Sequence, residues 1–388
     1  MNKKMLRRFV LLSMIVAPFP LLTACGQSAE QGPIRIGIQA PYTGVGSDHG
    51  PLVEAGVRLL LEQNNWEVAG RPIELVTGDE DGMDPSVTLD RTRQLVEQEQ
   101  VDILIGPIFG SNQQGVAPYL AEQQVLDISV HYGSWDLVQS GNFILWPGTD
   151  YSSATPIGDF AYSEMGYRNL SIMAPDYIFG HTLMAGPMEG FTRLGGTVLQ
   201  EQWVPLGTTD MLPYMTALDP GADAVVVWLL TDNLVSFVDQ YNALGLETPV
   251  IFVYTLREGT IQDLGPQIDG FYTLGDYTWR IDTPTNRAFV EAYERAYNEK
   301  PNTTAVSAYS AAMVAVEALR ATHGDTSLAA LREAILGLEL DTPQGRAHFT
   351  ANGIALTDRE LMQVRQVDGR WVYEVVTTYP AVRDPRDQ

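Results

Sequence analysis

The stretch IRIGI at 34–38, the turn-rich PYTGVGSDHG at 41–50 and the segment opening at Pro51 together decide the fold. The first reads as a short apolar strand. In the third, Val53, Val57, Leu60 and Leu61 fall at i, i+4, i+7 and i+8, one apolar face of a helix, and Pro51 suits its first turn. Strand, turn and helix in that order begin a βαβ unit, in which the helix carries the chain back so that the next strand runs parallel to the first. The order then repeats. A strand at 73–76 precedes a helix capped at Asp84, with Pro85 next, that runs to about Glu99; strands at 102–106 and 125–129 flank a helix over 113–122. A parallel sheet of this kind carries helices on both faces.

The cycle restarts after Tyr151. A strand at 170–173, a helix over 182–194 and a strand at 198–199 lead to the nearly all-apolar run 222–230, the pattern of a strand buried on both faces. A helix over 233–244 and a strand at 249–253 follow. Two successive α/β halves of roughly 120 residues each predict two similar Rossmann-like lobes with parallel sheets. Helices over 285–298 and 306–320 come next, and a hairpin at 367–372 turns at Asp368-Gly369.

Of 388 residues, 45% are hydrophobic and 19% charged, which excludes a low-complexity chain and a polytopic membrane protein. With 24 basic against 48 acidic residues and no basic run, the formal charge of −24 argues against nucleic acid as a partner. The N-terminus differs from the rest. Lys3, Lys4, Arg7 and Arg8, then an apolar run closing in Leu22-Thr23-Ala24-Cys25, predict an export signal over 1–24, and Pro18 and Pro20 make the run a poor membrane span. Cys25 is the sole cysteine and follows small residues, as in the lipobox of bacterial lipoproteins, so it is the expected lipid attachment point, with 25–33 as a tether. Loss of the four basic residues would take the charge to −28.

The loop Gly44-Val45-Gly46-Ser47-Asp48-His49-Gly50 lies where dinucleotide-binding enzymes place G-x-G-x-x-G, but His49 stands at the third glycine and would block close helix–strand approach. No cofactor is expected. The loop offers backbone N–H groups at a helix start, and Gly106-Pro107-Ile108-Phe109-Gly110-Ser111-Asn112 repeats the arrangement, with Ser111 or Asn112 as an N-cap. Both loops follow strands, and ligands bind beyond the carboxyl ends of parallel strands. His49, His131 and His181 also follow strands, whereas His323 and His348 do not; polar lining of a cleft suits the three better than a metal site, since none is paired at ligand spacing. The acidic run 79–84 lacks the spacing of a calcium loop and reads as a turn and helix cap. There is no G-x-S-x-G, H-E-x-x-H or P-loop, so the expectation is a binding protein, not an enzyme.

Several further stretches complete a pattern: Gly70-Arg71-Pro72-Ile73-Glu74-Leu75, Asp176-Tyr177-Ile178-Phe179-Gly180, Ala243-Leu244-Gly245, Ala308-Tyr309-Ser310-Ala311-Ala312 and Gly345-Arg346-Ala347 with Phe349 and Asn352-Gly353. With Ile34-Arg35-Ile36-Gly37, Asp84-Pro85 and Ile105-Gly106-Pro107, their order resembles the type I periplasmic binding proteins of ABC transporters, specifically the branched-chain amino-acid (Leu/Ile/Val) binding family. The resemblance implies a periplasmic binding protein-like I fold: two lobes joined by a three-crossing hinge, with crossings near 147–151, 274–280 and 345–353. It divides the body into a first lobe of 34–148 plus 279–347, a second of 149–278 plus 348–380, and a tail of 381–388. It implies a lipid-anchored, extracytoplasmic protein that captures a small ligand between its lobes and delivers it to ABC permease subunits; the alternative is a ligand-sensing receptor domain of the same fold.

Carried over by position, the ligand contacts are His49, Gly110, Ser111, His131, Tyr132 and Gly133 from the first lobe, and Tyr177, Phe179, Leu230, Thr255 and Leu256 from the second. Two departures bear on the ligand. Where amino-acid binders carry an acidic residue for the ammonium, this chain has Leu256, with Glu258 two residues later, and a small loop is replaced by His131-Tyr132-Gly133-Ser134-Trp135. An unpaired buried ammonium is costly, so among small polar or aromatic ligands (amino acid, amide or carboxylate) a flatter or carboxylated one lacking an amine is expected.

Overall fold

The computed structural model describes residues 32–387; the expected export signal and Cys25 lie outside the described residues. The first sheet runs Glu67–Val68, Arg71–Asp79, Ile34–Ala40, Ile103–Ile105, Leu126–Ile128, Phe143–Ile144, parallel except for the two-residue ribbon at its edge. The second runs Arg370–Tyr379, Arg359–Val367, Tyr272–Gly275, Val250–Val253, Ala224–Val227, Asn169–Pro175, Thr197–Val204. Its last five strands are parallel, and the antiparallel hairpin Arg359–Val367 and Arg370–Tyr379 closes one edge. Asp368 and Gly369 both take positive φ, 51° and 81°, as a two-residue hairpin of this hand requires. Ala224–Val227 is buried at every position, which accounts for its unbroken apolar run.

Helix Asp84 capping is as the sequence predicts: its side chain accepts from Ser86 N and Val87 N, with Pro85 at the first position of Pro85–Arg93. Helix Thr303–Ala321 begins three residues before its apolar pattern, because Asn302 caps it by accepting from Ala305 N. This helix packs along His49–Gln63 at close range. A Cβ on Gly56 would lie 2.2 Å from the Ala305 carbonyl oxygen, so only glycine permits the approach. At the shared start of the two helices the contact sets His49 against Thr304, Nδ1 to Oγ1, at 3.0 Å.

The chain returns to the first core after the second sheet's parallel strands. Phe289, Tyr293, the buried alanines of Thr303–Ala321, Phe349 and Ala355 all join the cluster built on Ile34, Ile36 and Ile38. The strands Gly345–Phe349 and Ala355–Leu356 therefore stay with the first core, and the third crossing falls at 356–359, later than the sequence places it. The reason is apolar: Phe349 packs against Trp146, ring centroids 6.3 Å apart, and Leu145 exchanges backbone hydrogen bonds with Gly353 and Ala355.

Polar contacts join the crossings. Pro147 O accepts from Thr357 Oγ1 at 2.8 Å and from Arg359 Nη2 at 3.1 Å, and Asp276 Oδ2 accepts from Gln344 Nε2 at 2.9 Å. The tail at 381–387 is folded over this region. Asp384 is fully buried, accepts from Thr149 Oγ1 at 2.7 Å and pairs through both oxygens with Arg386, whose guanidinium covers Tyr151 and Trp135. Asp387 accepts from Asn352 Nδ2 at 2.7 Å.

Two predictions follow from this packing. Asp384→Ala removes the carboxylate that accepts from Thr149 and Arg386 and is expected to destabilise the protein by about 1–2 kcal/mol in denaturant unfolding; an unchanged midpoint would show that the tail adds nothing to the hinge. The second concerns Glu80, a buried carboxylate whose titration burial delays to about 7 from its usual 4.5. The folded state holds that proton longer than the unfolded chain, so its contribution is present below 4.5 and lost as pH rises through 7. Stability measured relative to Glu80→Gln should fall over that window by up to roughly 3 kcal/mol, and a flat difference curve would refute it.

Candidate functional site

The carboxyl ends of the parallel strands face one cavity of about 270 Å³. Its first-lobe wall comes from the start of His49–Gln63, the turn after Leu126–Ile128 and the start of Thr303–Ala321, which supply His49, His131, Tyr132, Thr303, Thr304 and Ser307. Its second-lobe wall follows Ala224–Val227 and Val250–Val253 and carries Trp228, Leu230, Tyr254, Thr255, Leu256 and Arg257. Asp276, Thr278 and Trp279 of the second crossing form part of the lining at the hinge.

The walls are aromatic. Tyr132 and Tyr254, one from each side, stack with centroids 5.4 Å apart and planes at 14°. Tyr254 holds φ at +69°, a left-handed value unusual for a bulky residue. Its neighbours hold it there: Tyr254 N donates to Leu274 O at 2.7 Å, its carbonyl accepts from Thr273 Oγ1 at 2.7 Å, and its hydroxyl lies 2.9 Å from Ser153 Oγ. Trp228 is backed by Phe179 and Tyr177, at 5.0 and 5.9 Å between centroids.

Electrostatics differ between floor and mouth. His131 is buried and has its pKa pushed down to about 3, first by burial and then by His49, whose ring meets it edge to face at 5.7 Å. Burial lowers His49 as well. Both are neutral polar groups at physiological pH. Arg257, the one lysine or arginine among the described residues lining the cavity, pairs across the mouth with Asp48. Thr255 Oγ1 and Thr303 Oγ1, 3.0 Å apart, make a second bridge between the walls.

Six of the sequence-predicted contacts line the cavity: His49, His131, Tyr132, Leu230, Thr255 and Leu256. Gly110, Ser111, Gly133, Tyr177 and Phe179 do not. The reason at Gly110 and Ser111 is internal. Glu80 accepts from Ile108 N and Phe109 N, each at 2.9 Å, and from Asn112 Nδ2 at 2.7 Å, so a carboxylate of the protein already fills the anion-binding start of Gly110–Gln123. Phe109, not Ser111 or Asn112, is the N-cap residue. The first glycine loop is likewise closed on itself: His49 N donates to Gly46 O and Gly50 N to Pro41 O, at 2.8 and 2.9 Å. Of this loop, it is His49 that lines the cavity. Gly133 lies against Leu145 and Leu137, and a Cβ there would meet Leu145 Cδ2 at 2.7 Å. Tyr177 and Phe179 stand one ring behind Trp228, and His181 is exposed, paired with Asp176 at 2.9 Å and stacked on Trp203.

Sequence reasoning missed Trp228, Tyr254, Arg257, Asp276 and the group Thr303, Thr304, Ser307. The strand-end rule that selected Leu230 and Thr255 covers Trp228 and Tyr254 equally, and Asn302 after Pro301 is a legible cap signature. Among the described residues no group of three or more His, Cys, Asp and Glu side chains is arranged to hold a metal ion, and no helix is long and apolar enough to cross a membrane.

A family model described as "Periplasmic binding protein" matches residues 33–370. The Leu/Ile/Val-binding protein homolog 6 of Brucella suis is 25% identical over 365 residues, covering 91% of this chain and 93% of the relative. Among solved structures, an ABC transporter substrate-binding protein from Sphaerobacter thermophilus is 28% identical with a TM-score of 0.85, covering 91% and 99% of the two chains. A solute-binding protein of an ABC transporter from Rhodopseudomonas palustris BisB5, solved with 3,4-dihydroxy benzoic acid, has the same fold at 23% identity, with a TM-score of 0.85 and coverage of 92% and 99%. These relatives are binding proteins, not enzymes. Two α/β lobes, a three-segment hinge and a cavity at the strand ends accord with the sequence match: the chain belongs to the periplasmic binding protein family.

Proposed function

We propose that this protein is the extracytoplasmic solute-binding component of an ABC importer, that it captures a small aromatic carboxylate between its lobes, and that lipid on Cys25 holds it at the membrane while it serves the permease. The observation that carries the ligand reading is the joint presence of stacked aromatic walls, Tyr132, Tyr254 and Trp228, and of Arg257 at the mouth. A planar ring can pack against these aromatic side chains, and a guanidinium with five donors can keep Asp48 and still bind a carboxylate. The volume, about 270 Å³, lies below the roughly 300–1,000 Å³ of drug-sized sites and suits a single ring. The BisB5 protein, with its dihydroxylated benzoic acid, supports the same class.

An amino acid fits less well. The second-lobe position next to Arg257 is Leu256, whose backbone N–H already donates to Tyr373 Oη at 2.8 Å, and the Asp276 carboxyl is engaged by Gln344 and the Arg359 charge. Asp276 is the one Asp or Glu among the described residues lining the cavity, and the Arg359 charge already offsets it, so the ammonium of leucine would add an unbalanced charge there.

Calorimetry with benzoate and leucine tests the class: benzoate is expected to bind and leucine not, and the reverse result would overturn the aromatic reading. Arg257→Met should weaken benzoate at least tenfold, about 1.4 kcal/mol, while a change under twofold would remove Arg257 from carboxylate recognition. Cys25→Ser, expressed in a bacterial host, should move the protein from the membrane fraction to the soluble fraction of the envelope; unchanged membrane retention would refute the lipid anchor.

A further inference from the structure

Four buried polar atoms on residues lining the cavity hold no hydrogen bond: His131 Nε2, Tyr132 Oη, Asp276 Oδ1 and Ser307 Oγ. They come from three separate segments, the turn after Leu126–Ile128, the second crossing and helix Thr303–Ala321, yet the four residues that carry them line one cavity. Buried polar groups are normally paired, and such a convergence of open ones marks the place of a polar group on a ligand.

Their chemistry narrows what that group is. Asp276 Oδ2 already accepts from Gln344 Nε2 at 2.9 Å, and the Arg359 guanidinium balances the carboxyl's charge. The Tyr132 phenol and the Asp276 carboxyl act on each other at hydrogen-bond range, yet neither Oη nor Oδ1 completes a hydrogen bond of good geometry, so both can turn to a ligand. A second carboxylate here would face Asp276 with no cation to spare. An ammonium would bring an unbalanced charge to a floor whose charges already cancel. A hydroxyl brings none: it can donate to Asp276 Oδ1 or His131 Nε2 and accept from Tyr132 Oη or Ser307 Oγ.

We infer that the ligand is a ring-hydroxylated aromatic acid, its hydroxyl seated among His131, Tyr132, Asp276 and Ser307 at the hinge and its carboxylate toward Arg257 at the mouth. This rests on the carboxylate reading above. A site built around a hydroxyl discriminates strongly against the analogue that lacks it, because its own polar groups are then left unpaired.

The test is calorimetry of the full chain with benzoate, 3-hydroxybenzoate and 4-hydroxybenzoate, repeated on Tyr132→Phe and Ser307→Ala, with thermal unfolding as the check on folding. At least one hydroxybenzoate should bind ten or more times tighter than benzoate. In at least one folded variant that ratio should drop to about one. Equal affinities in the natural protein, or a ratio untouched in both variants, would overturn the hydroxyl seat alone. Failure of all three acids to bind would overturn it together with the carboxylate reading.

Discussion

A guanidinium with no exposed surface lies where the three crossings meet. Arg359 donates to Pro147 O on the first crossing and to Thr357 and the Asp358 carbonyl on its own, and its charge faces Asp276 on the second. It also lies 5.0 Å from the centre of the Tyr132 ring. A buried charge is tolerable only while its partners stay in place, and truncating one side of such a pair costs about 3–5 kcal/mol. The relative positions of three distant segments are thus held by electrostatics at one point. The apolar cores are built on the two faces of the first sheet and the two faces of the second, and reach the crossings through Trp146, Tyr277 and Ala355. Hinge closure needs a few segments that can turn while each lobe keeps its own core, and hydrogen bonds at one point between separate cores suit that.

The same point shapes the cleft. Because Arg359 stands behind Tyr132 and Asp276, the hinge side of the cavity has a matched charge, and the two histidines beside it are held neutral by burial. The guanidinium lining the cavity that a ligand can reach is that of Arg257, about half exposed at the mouth beside its partner Asp48. An acidic chain with a formal charge of −24 can still receive an anion if that anion meets one oriented guanidinium, since a local contact outweighs a field that salt screens beyond about 10 Å. Glu80 extends this logic to the loops: by occupying the start of Gly110–Gln123, it removes an anion site that the fold offers by default.

The strand and helix order was legible because it rests on local periodicity: IRIGI, the face of Val53, Val57, Leu60 and Leu61, and the cap at Asp84 all sit where their patterns place them. The two-lobe architecture was legible because the cycle repeats. The cleft was legible only to the level of strand ends. His49 and His131 follow from that rule, but nothing local says that Glu80, 28 residues before Ile108, would take the N–H groups of a loop that looked open. Nor does sequence distinguish Leu256 from Arg257 as the side chain that reaches the mouth. The packing of the tail was not legible for a related reason: Asp384 and Arg386 find each other against Thr149, Tyr151 and Trp135, far away in sequence. Long-range polar pairing carries no periodicity.

Closure itself can be weighed from the contacts that cross the cleft. The Asp48–Arg257 pair is roughly half exposed on both sides, so it contributes about 1 kcal/mol or less. The Thr255–Thr303 hydrogen bond adds about 1 kcal/mol, and the Tyr132–Tyr254 stack about 0.5–1.5. Together they reach roughly 2–3 kcal/mol, whereas moving an equilibrium from 1:99 to 99:1 takes about 5.5. The lobes' own contacts therefore bias closure without securing it. The remainder must come from a ligand that touches both walls at once, and the stacked tyrosines, the guanidinium and the hinge-side polar atoms are all placed where only a bridging molecule can use them together.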